Sequence, residues 1–291
     1  MRVGIITRNE DSWCGRRLRK AFEDAGSTVC FLTFQDLVAR ITGKTIVSSN
    51  NLDLISELSA LFVRPIGRGS LDEIVFQLDL LHTFSERGIP VVNSPSAIER
   101  AVDKYRALEL LGSAGVHVPE TVVTENVNEA MEAFKSFGGE AIVKPVFGSR
   151  GIGAARISDL DVAERVFRTL RFYKHVIYVQ EYVPHGTSDV RAFVIKDQVV
   201  AAMRRESKSW KTNVSQGAKP VQLNPSDELV EIVVKASAVL GCEIAGVDVM
   251  ENDQGFTINE INSQPGWKGL QSTTRIDIAQ KIADYVMSRA K

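Results

Sequence analysis

The chain is poor in cysteine. Cys14, Cys30 and Cys242 are its only three, with neither CxxC spacing nor an even set. They provide no disulfide framework and read as buried thiols of a reducing compartment. Neither sign of charge is in excess: 35 Lys and Arg against 36 Asp and Glu leave a net −1. No whole-protein field draws in nucleic acid or an anionic membrane, although a local basic cleft stays open. Long apolar runs are missing too, so no segment is expected to span a bilayer. The opening MRVGIITRNE is a short apolar run broken by charge and is not a signal peptide. Together these absences point to the cytoplasm.

Two phosphate-binding signatures are also lacking. A dinucleotide site needs GxGxxG after the first strand, where this chain has Thr7-Arg8-Asn9-Glu10-Asp11. The glycine-rich stretch Phe147-Gly148-Ser149-Arg150-Gly151-Ile152-Gly153 is not closed by Gly-Lys-Ser/Thr, which excludes a P-loop.

What remains is ordinary globular material, 44% hydrophobic and 24% charged, and 291 residues suffice for two or three compact units. Over the first 95 residues, short apolar runs at 3–6, 28–32, 60–63 and 90–92 alternate with helical patterns, among them 16–25 with Leu18, Ala21, Phe22 and Ala25 on one side. That alternation predicts a parallel sheet with covering helices. Ser96 and Glu99 have capping-box spacing, and Ile98, Ala101, Val102, Tyr105 and Leu108 continue as one helix. A helix at 127–137 and a strand at 141–144 lead into the glycine-rich stretch. From about residue 186 hairpins dominate: 190–195 with 199–203, then, after a helix at 226–240, 243–250 with 256–262. A helix at 276–288 ends the chain.

Three features carry chemistry. In the last hairpin Asp248 interrupts an apolar run, and Glu260 and Asn262 lie two apart on the partner strand, with Phe256 and Ile258 expected before them on the same face. Hard oxygen donors on adjacent strands suit Mg²⁺; pairing of Asp248 and Glu260 with Lys or Arg elsewhere is the competing reading. In the glycine stretch, Gly148, Gly151 and Gly153 allow the positive φ and close approach that let amides cradle phosphate. Lys144 ends the strand before it, either as a phosphate contact or as a solvated tail. Finally Arg191 sits inside an apolar strand two after Asp189, and Arg204, Arg205, Lys211 and Asn213 follow. This cluster fits phosphate and an acidic substrate, or else a charged sheet edge.

Taken in order, Asp103-Lys104, Val143-Lys144-Pro145, Gln180-Glu181-Tyr182-Val183, Asp189-Val190-Arg191, Lys211-Thr212-Asn213, Gly246-Val247-Asp248 and Asn259-Glu260-Ile261-Asn262 resemble the ATP-grasp superfamily. Within it they resemble the RimK-like amino-acid ligases, over essentially the whole chain. The resemblance implies a mixed α/β and α+β fold: a pre-ATP-grasp α/β domain at 1–95, a central lobe at 96–185 and a C-terminal lobe at 186–291, with ATP between the two lobes. It implies that Lys104, Lys144 and the loop Gly148, Ser149, Gly151, Gly153 hold phosphates and that Gln180, Glu181 and Tyr182 hold adenine. Asp189 would contact the nucleotide near its ribose, beside Arg191, and Asp248, Glu260 and Asn262 would bind two Mg²⁺ ions, with Mn²⁺ able to substitute. Arg205, Lys211 and Asn213 would be catalytic, facing the γ-phosphate and the carboxylate to be activated.

The segments 213–217 and 262–267 look most similar to archaeal tetrahydromethanopterin:α-L-glutamate ligases, and 272–279 to ligases that glutamylate a ribosomal protein; the deazaflavin-cofactor ligases share most motifs. The implied reaction makes an acyl phosphate that the amine of L-glutamate attacks, on a small carboxylate-bearing acceptor, with no membrane or nucleic-acid partner and with self-association as a dimer or tetramer. A non-catalytic ATP-binding regulator is the alternative of another class. Arg64 and Arg68 are candidates for an acidic acceptor or plain surface residues. Trp210 and Trp267 either stack on a pterin, wall the cleft or simply pack.

Overall fold

The structure, a computed structural model, describes residues 1–67, 69–148 and 151–290. The N-terminal sheet is parallel, in the order Thr28–Leu32, Arg2–Ile6, Ala60–Val63, Val91–Val92. Its inner strands read as unbroken apolar runs because both faces are covered. Val3, Ile5, Ala60 and Phe62 meet the helix Trp13–Asp24 on one face. Ile6, Leu61 and Val63 meet Leu80, Leu81 and Phe84 of the helix Leu71–Glu86 on the other. The chain's last helix, Ile278–Arg289, returns to this first sheet and joins the core of its first face through Ile278, Ile282 and Val286. A small antiparallel sheet, Val38–Ile41, Thr45–Ser49 and Leu52–Asp53, is an addition that the sequence pattern did not announce.

The single helix expected from 98 to 108 is two helices, Pro95–Val102 and Lys104–Ser113. Asp103 ends the first and caps the second, its carboxylate accepting from the amides of Tyr105 at 2.9 Å and Arg106 at 3.1 Å. The break rotates the apolar stripe, which leaves Val102 and Tyr105 exposed. Ser94 rather than Ser96 caps the first helix, with Pro95 in its first turn.

The second sheet is antiparallel, in the order Ala155–Ile157, Ala141–Val143, Ile177–Glu181, Thr121–Thr124. The helices Val127–Ser136 and Leu160–Phe172 pack on it through Phe134 and Phe167. The third sheet is a five-stranded meander with one crossover, in the order Lys219–Leu223, Gln198–Glu206, Ser188–Ile195, Ile244–Asn252, Gly255–Asn262. The helix Asp227–Leu240 covers one face, and Ala97, Ala101, Leu108 and Leu111 from the 95–113 helices share its core. Among the described residues no helix is long and apolar enough to cross a membrane.

One irregularity sets the site. Asp248 lies opposite Glu260, but Val249 lies opposite Ile258, so Asn259 is an extra residue in its strand. Such a bulge shifts the alternation of faces by one position. Ile258 therefore points with Ile261 into the core under the helix Asp227–Leu240, and Phe256 packs against that core too. The expectation that Phe256 and Ile258 share a face with Glu260 and Asn262 is wrong for this reason.

Candidate active site

The second and third sheets face each other across a cleft. From the second come Lys144 and the glycine loop at Gly148 and Gly151, with Gln180, Glu181 and Tyr182 at the end of the strand Ile177–Glu181. The third supplies Asp189, Arg205, Asp248 and Glu260, and the loop after it Lys211 and Asn213. Lys104 opens its helix at the junction. Arg191, Gly153 and Asn262 lie just behind the lining, and Ser149 and Arg68 fall outside the described residues.

The phosphate end is cationic and built on the glycine loop. Lys104 Nζ donates to the carbonyls of Val146 at 3.2 Å and Gly148 at 2.8 Å, tying the helix start to the loop. Gly151 has φ +69°, and a Cβ there would stand 2.8 Å from Asn213 Oδ1, so the loop meets the opposite lobe where only glycine fits. Lys144 Nζ lies 5.4 Å from the centroid of the Tyr178 ring. Loss of solvent pushes its ammonium down to about 8; Glu260 pulls it up, and Lys104 presses it further down. Burial lowers Lys104 as well, against Glu260 and Asp103.

At the opposite wall a buried network runs through four charges. Arg205 holds Asp189 with both carboxylate oxygens engaged, and reaches Asp248 Oδ1 at 3.1 Å. Arg191 grips Asp248 from the next position, through Nε and, at 2.5 Å, through Nη2. Burial drives the Asp248 carboxyl up, but Arg191 and Arg205 overcome it and hold it below the usual aspartate range. Pairing with arginine, the competing reading of Asp248, thus holds in this structure. Asp189, expected at the ribose, is likewise taken up by Arg205. Arg204 turns the other way, to Glu251 at 2.6 Å.

Glu260 differs. Among the described residues no hydrogen bond or ion pair engages its carboxylate, although Lys104 and Lys144 both feel its charge. Asn262 Nδ2 leans on the Gly246 carbonyl at 3.4 Å, and among the described residues no donor engages its Oδ1. Two idle hard oxygens beside Asp248 fit a divalent cation, with Asp248 joining once Arg191 yields an oxygen. Among the described residues no three of His, Cys, Asp and Glu converge, so such a cation depends on the asparagine and on substrate oxygens.

Gln180 turns its amide to Thr121 Oγ1 at 2.8 Å and to the Tyr178 hydroxyl at 3.3 Å, and Glu181 Oε1 accepts from the Glu120 amide at 2.8 Å. The apolar wall beside them, Ile142, Val183 and Met250, was given no role in the sequence reading, and neither were His185 and Asn259, although Val183 and Asn259 stand in the motifs. Strand alternation alone could have flagged Ile142 and Met250. Nothing in the sequence announces the bulge that turns Asn259 into the cleft. Trp210 lines the cleft beneath Lys211 Nζ, 5.3 Å from its ring. Trp267, offered as a stacking surface, is fully buried, edge-on to Trp13 and Phe193 at 6.5 and 6.3 Å, and presents no exposed ring face on which a pterin could stack. Arg64 is buried, which excludes a surface role.

Lys144 makes a pH prediction. Bound phosphate favours the ammonium, so binding draws in a proton wherever the empty site has lost it. Metal-free ADP should bind evenly below about pH 8 and weaken by about tenfold per unit above it. Folding moves the other way: between that value and the ordinary lysine range, stability rises with pH, because only the folded state has shed the proton. Titration calorimetry in buffers of different ionisation enthalpy reads the proton uptake, and a Lys144→Arg protein should lose it. Flat affinity from pH 7 to pH 9.5 would refute the assignment.

Comparison with known proteins gives a consistent picture. Residues 101–286 match the family described as the RimK-like ATP-grasp domain. The tetrahydromethanopterin:alpha-L-glutamate ligase of Methanococcus maripaludis is 32% identical, covering 100% of this chain and 99% of that one. The protein of the same name from Methanocaldococcus jannaschii is 35% identical over 86% and 89%. Among solved structures, the ATP-grasp ligase PsnB complexed with minimal precursor, Mg and ADP superposes with a TM-score of 0.76 at 19% identity, over 99% of this chain and 97% of that one.

Proposed function

Because the chain belongs to the RimK-like ATP-grasp family, and so is an ATP-dependent ligase forming C–N bonds, we propose that it adds L-glutamate, through its amine, to the carboxylate of a small tetrahydromethanopterin-type cofactor. The observation that carries this reading is the meeting, in one cleft, of Lys104, Lys144 and the glycine loop with the unengaged carboxylate of Glu260.

On this reading residues 1–95 form the accessory α/β domain, and ATP lies between lobes 96–185 and 186–291. The adenine sits against Ile142, Val183 and Met250, with Gln180, Glu181 and Tyr182 at its edge. Lys104, Lys144 and the loop from Gly148 to Gly153, Ser149 included, bind phosphates through charge and backbone amides. Lys211, Asn213 and Arg205 face the γ-phosphate and the acceptor carboxylate. That carboxylate attacks the γ-phosphorus, the bond to ADP breaks, and an acyl phosphate forms. The glutamate amine then attacks the acyl carbon, phosphate leaves, and the amine gives up its proton. Cations fixed before reaction stabilise the charge that gathers on the transferring group. Glu260, Asn262 and Asp248 would hold two Mg²⁺ ions, for which Mn²⁺ can substitute; when bound, these neutralise phosphate charge and orient its oxygens. Arg191 and Asp189 position Asp248 and Arg205. The enzyme would work in the cytoplasm as a dimer or tetramer.

The test is mass spectrometry of reactions containing Mg-ATP, L-glutamate and, in parallel, a tetrahydromethanopterin-type acceptor, a deazaflavin cofactor and a ribosomal-protein C-terminal peptide. A glutamyl increment on the pterin alone is expected. Increments on another acceptor alone would replace the assignment, and ATP binding without ADP release under any condition would make the protein a regulator.

A further inference from the structure

Besides the last helix, the first domain touches the catalytic lobe at a short segment, 263–267, that begins immediately after Asn262. Two buried side chains pin it. Asn93 Nδ2 donates to the Ser263 carbonyl at 2.5 Å and to the Ile244 carbonyl at 2.7 Å. Arg64 Nη1 donates to the Pro265 carbonyl at 2.7 Å, with its guanidinium carbon 4.6 Å from the centroid of the Trp267 ring. Arg64 follows the strand Ala60–Val63, beside the end of the strand Arg2–Ile6. Connections leave these two neighbouring strands in opposite directions along the sheet. Crevices of this kind, at the carboxyl ends of parallel strands, are where open α/β sheets bind ligands.

Two neutral donors there lack acceptors among the described residues, and the cation beside them lacks a carboxylate. Arg64 is 7% exposed, and among the described residues no carboxylate lies within ion-pairing distance of it. Arginine is rarely buried without a partner, because losing water costs the charge several kcal/mol in a typical protein interior. Among the described residues nothing pairs with the Nε1 hydrogen of the fully buried Trp267 or with the buried Nε2 of the neighbouring Gln264. An unsatisfied buried donor costs on the order of 1–3 kcal/mol, and here two stand beside a buried cation that is held by a carbonyl and an aromatic ring rather than by a carboxylate. All three lie on or against the five residues after Asn262, and Pro265 packs on Gly246, the strand partner of Asn262.

We propose that Arg64, Gln264 Nε2 and Trp267 Nε1 form a carboxylate pocket that holds a non-reacting carboxylate of a substrate at the metal end of the cleft. A planar anion with two acceptor oxygens satisfies the guanidinium and the neutral donors together, in the way arginine and carboxylate ordinarily pair. Building on the ligase reading, the chemistry requires such a pocket: glutamate reacts through its amine and keeps both carboxylates, and an acidic acceptor keeps any that are not activated. The segment is pinned at both ends, so bringing the carboxylate to it also fixes the substrate against the first domain.

The experiment compares wild type with Arg64→Met, Arg64→Lys and Trp267→Phe, the last keeping an aromatic side chain while deleting the indole donor. Calorimetry measures L-glutamate and AMPPNP binding in the presence of Mg²⁺, steady-state kinetics give KM for a tetrahydromethanopterin-type acceptor, and melting is followed for each protein. Arg64→Met should weaken glutamate at least tenfold if the pocket holds the amino acid. If it holds the acceptor, the acceptor KM rises by as much and glutamate binding is unchanged. In either case AMPPNP affinity stays within twofold, Arg64→Lys recovers part of the loss, and Trp267→Phe shows a smaller loss for the same substrate. Lower melting temperatures with both substrate affinities intact, or equal weakening of all three ligands, would overturn the pocket and leave Arg64 as a staple over a buried water. If wild type makes no glutamyl product with any acceptor, yet binds glutamate in an Arg64-dependent way, the pocket stands and the acceptor assignment falls. Product formation by Arg64→Met at wild-type KM for both substrates leaves the ligase reading intact and removes the pocket.

Discussion

Replacing Glu260 by glutamine lowers ligation by at least about a thousandfold and leaves the melting temperature of the ligand-free protein within about 1 °C of wild type. The two halves of this prediction have separate causes. Stability is spared because the Glu260 carboxylate is bound to nothing among the described residues, so the amide breaks no ion pair and strands no charge. Activity is lost because that carboxylate, unlike Asp189 and Asp248, is not held by an arginine among the described residues, and it faces the two lysines at the phosphate end. A third consequence follows from those lysines. Glu260 pulls both ammonium groups up, so without it Lys144 falls further below about 8 and the weakening of ADP binding begins at lower pH. Turnover, differential scanning calorimetry and the pH series check the three parts. Wild-type turnover in Glu260→Gln would remove Glu260 from the chemistry, and a large fall in melting temperature would show a structural partner that the cleft geometry does not contain.

How far the site could be read in advance depended on what kind of signal each residue leaves. Lys144 and the glycine loop were legible because a strand, a lysine and a run of glycines are all local. The third sheet was legible for a similar reason: tight hairpins leave apolar runs separated by turn residues, as at Lys196-Asp197. What escaped were facts about pairing and competition. A one-residue bulge at Asn259 moved Ile258 to the opposite face, and no composition rule marks it. Asp248 and Asp189 are a metal ligand and a ribose contact by resemblance, yet each is first the partner of an arginine, which only the register of three strands reveals. The break at Asp103 shows the same limit on a smaller scale, since the stripe from Ile98 to Leu108 is helical in period and the capping aspartate within it decides the geometry. Trp267 was ambiguous because a tryptophan wall and a tryptophan core share one sequence signature.

The arginines yield the second large effect, and it limits what a simple knockout can teach. Replacing Arg205 by methionine should destabilise the protein by about 3–5 kcal/mol, since it leaves buried carboxylates uncompensated; at this chain size that corresponds to roughly 10 °C in melting temperature. Asp189 and Asp248 are 4% and 3% exposed, and Asp248 keeps Arg191 while Asp189 loses the one ion-pair partner it has among the described residues. In wild type the Asp248 carboxyl sits below the ordinary aspartate range, and the stability it contributes is present at neutral pH and lost only as pH falls through its folded value. Adding Asp189→Asn to Arg205→Met removes the stranded carboxylate and should recover part of the lost melting temperature at pH 7. Turnover separates the two roles of Arg205. If the double variant regains stability and remains inactive, the guanidinium acts on the reacting phosphate as well as on Asp189. If activity returns with stability, Arg205 only positions Asp189 and Asp248, and the positive charge at the γ-phosphate comes from Lys211 and the two phosphate lysines.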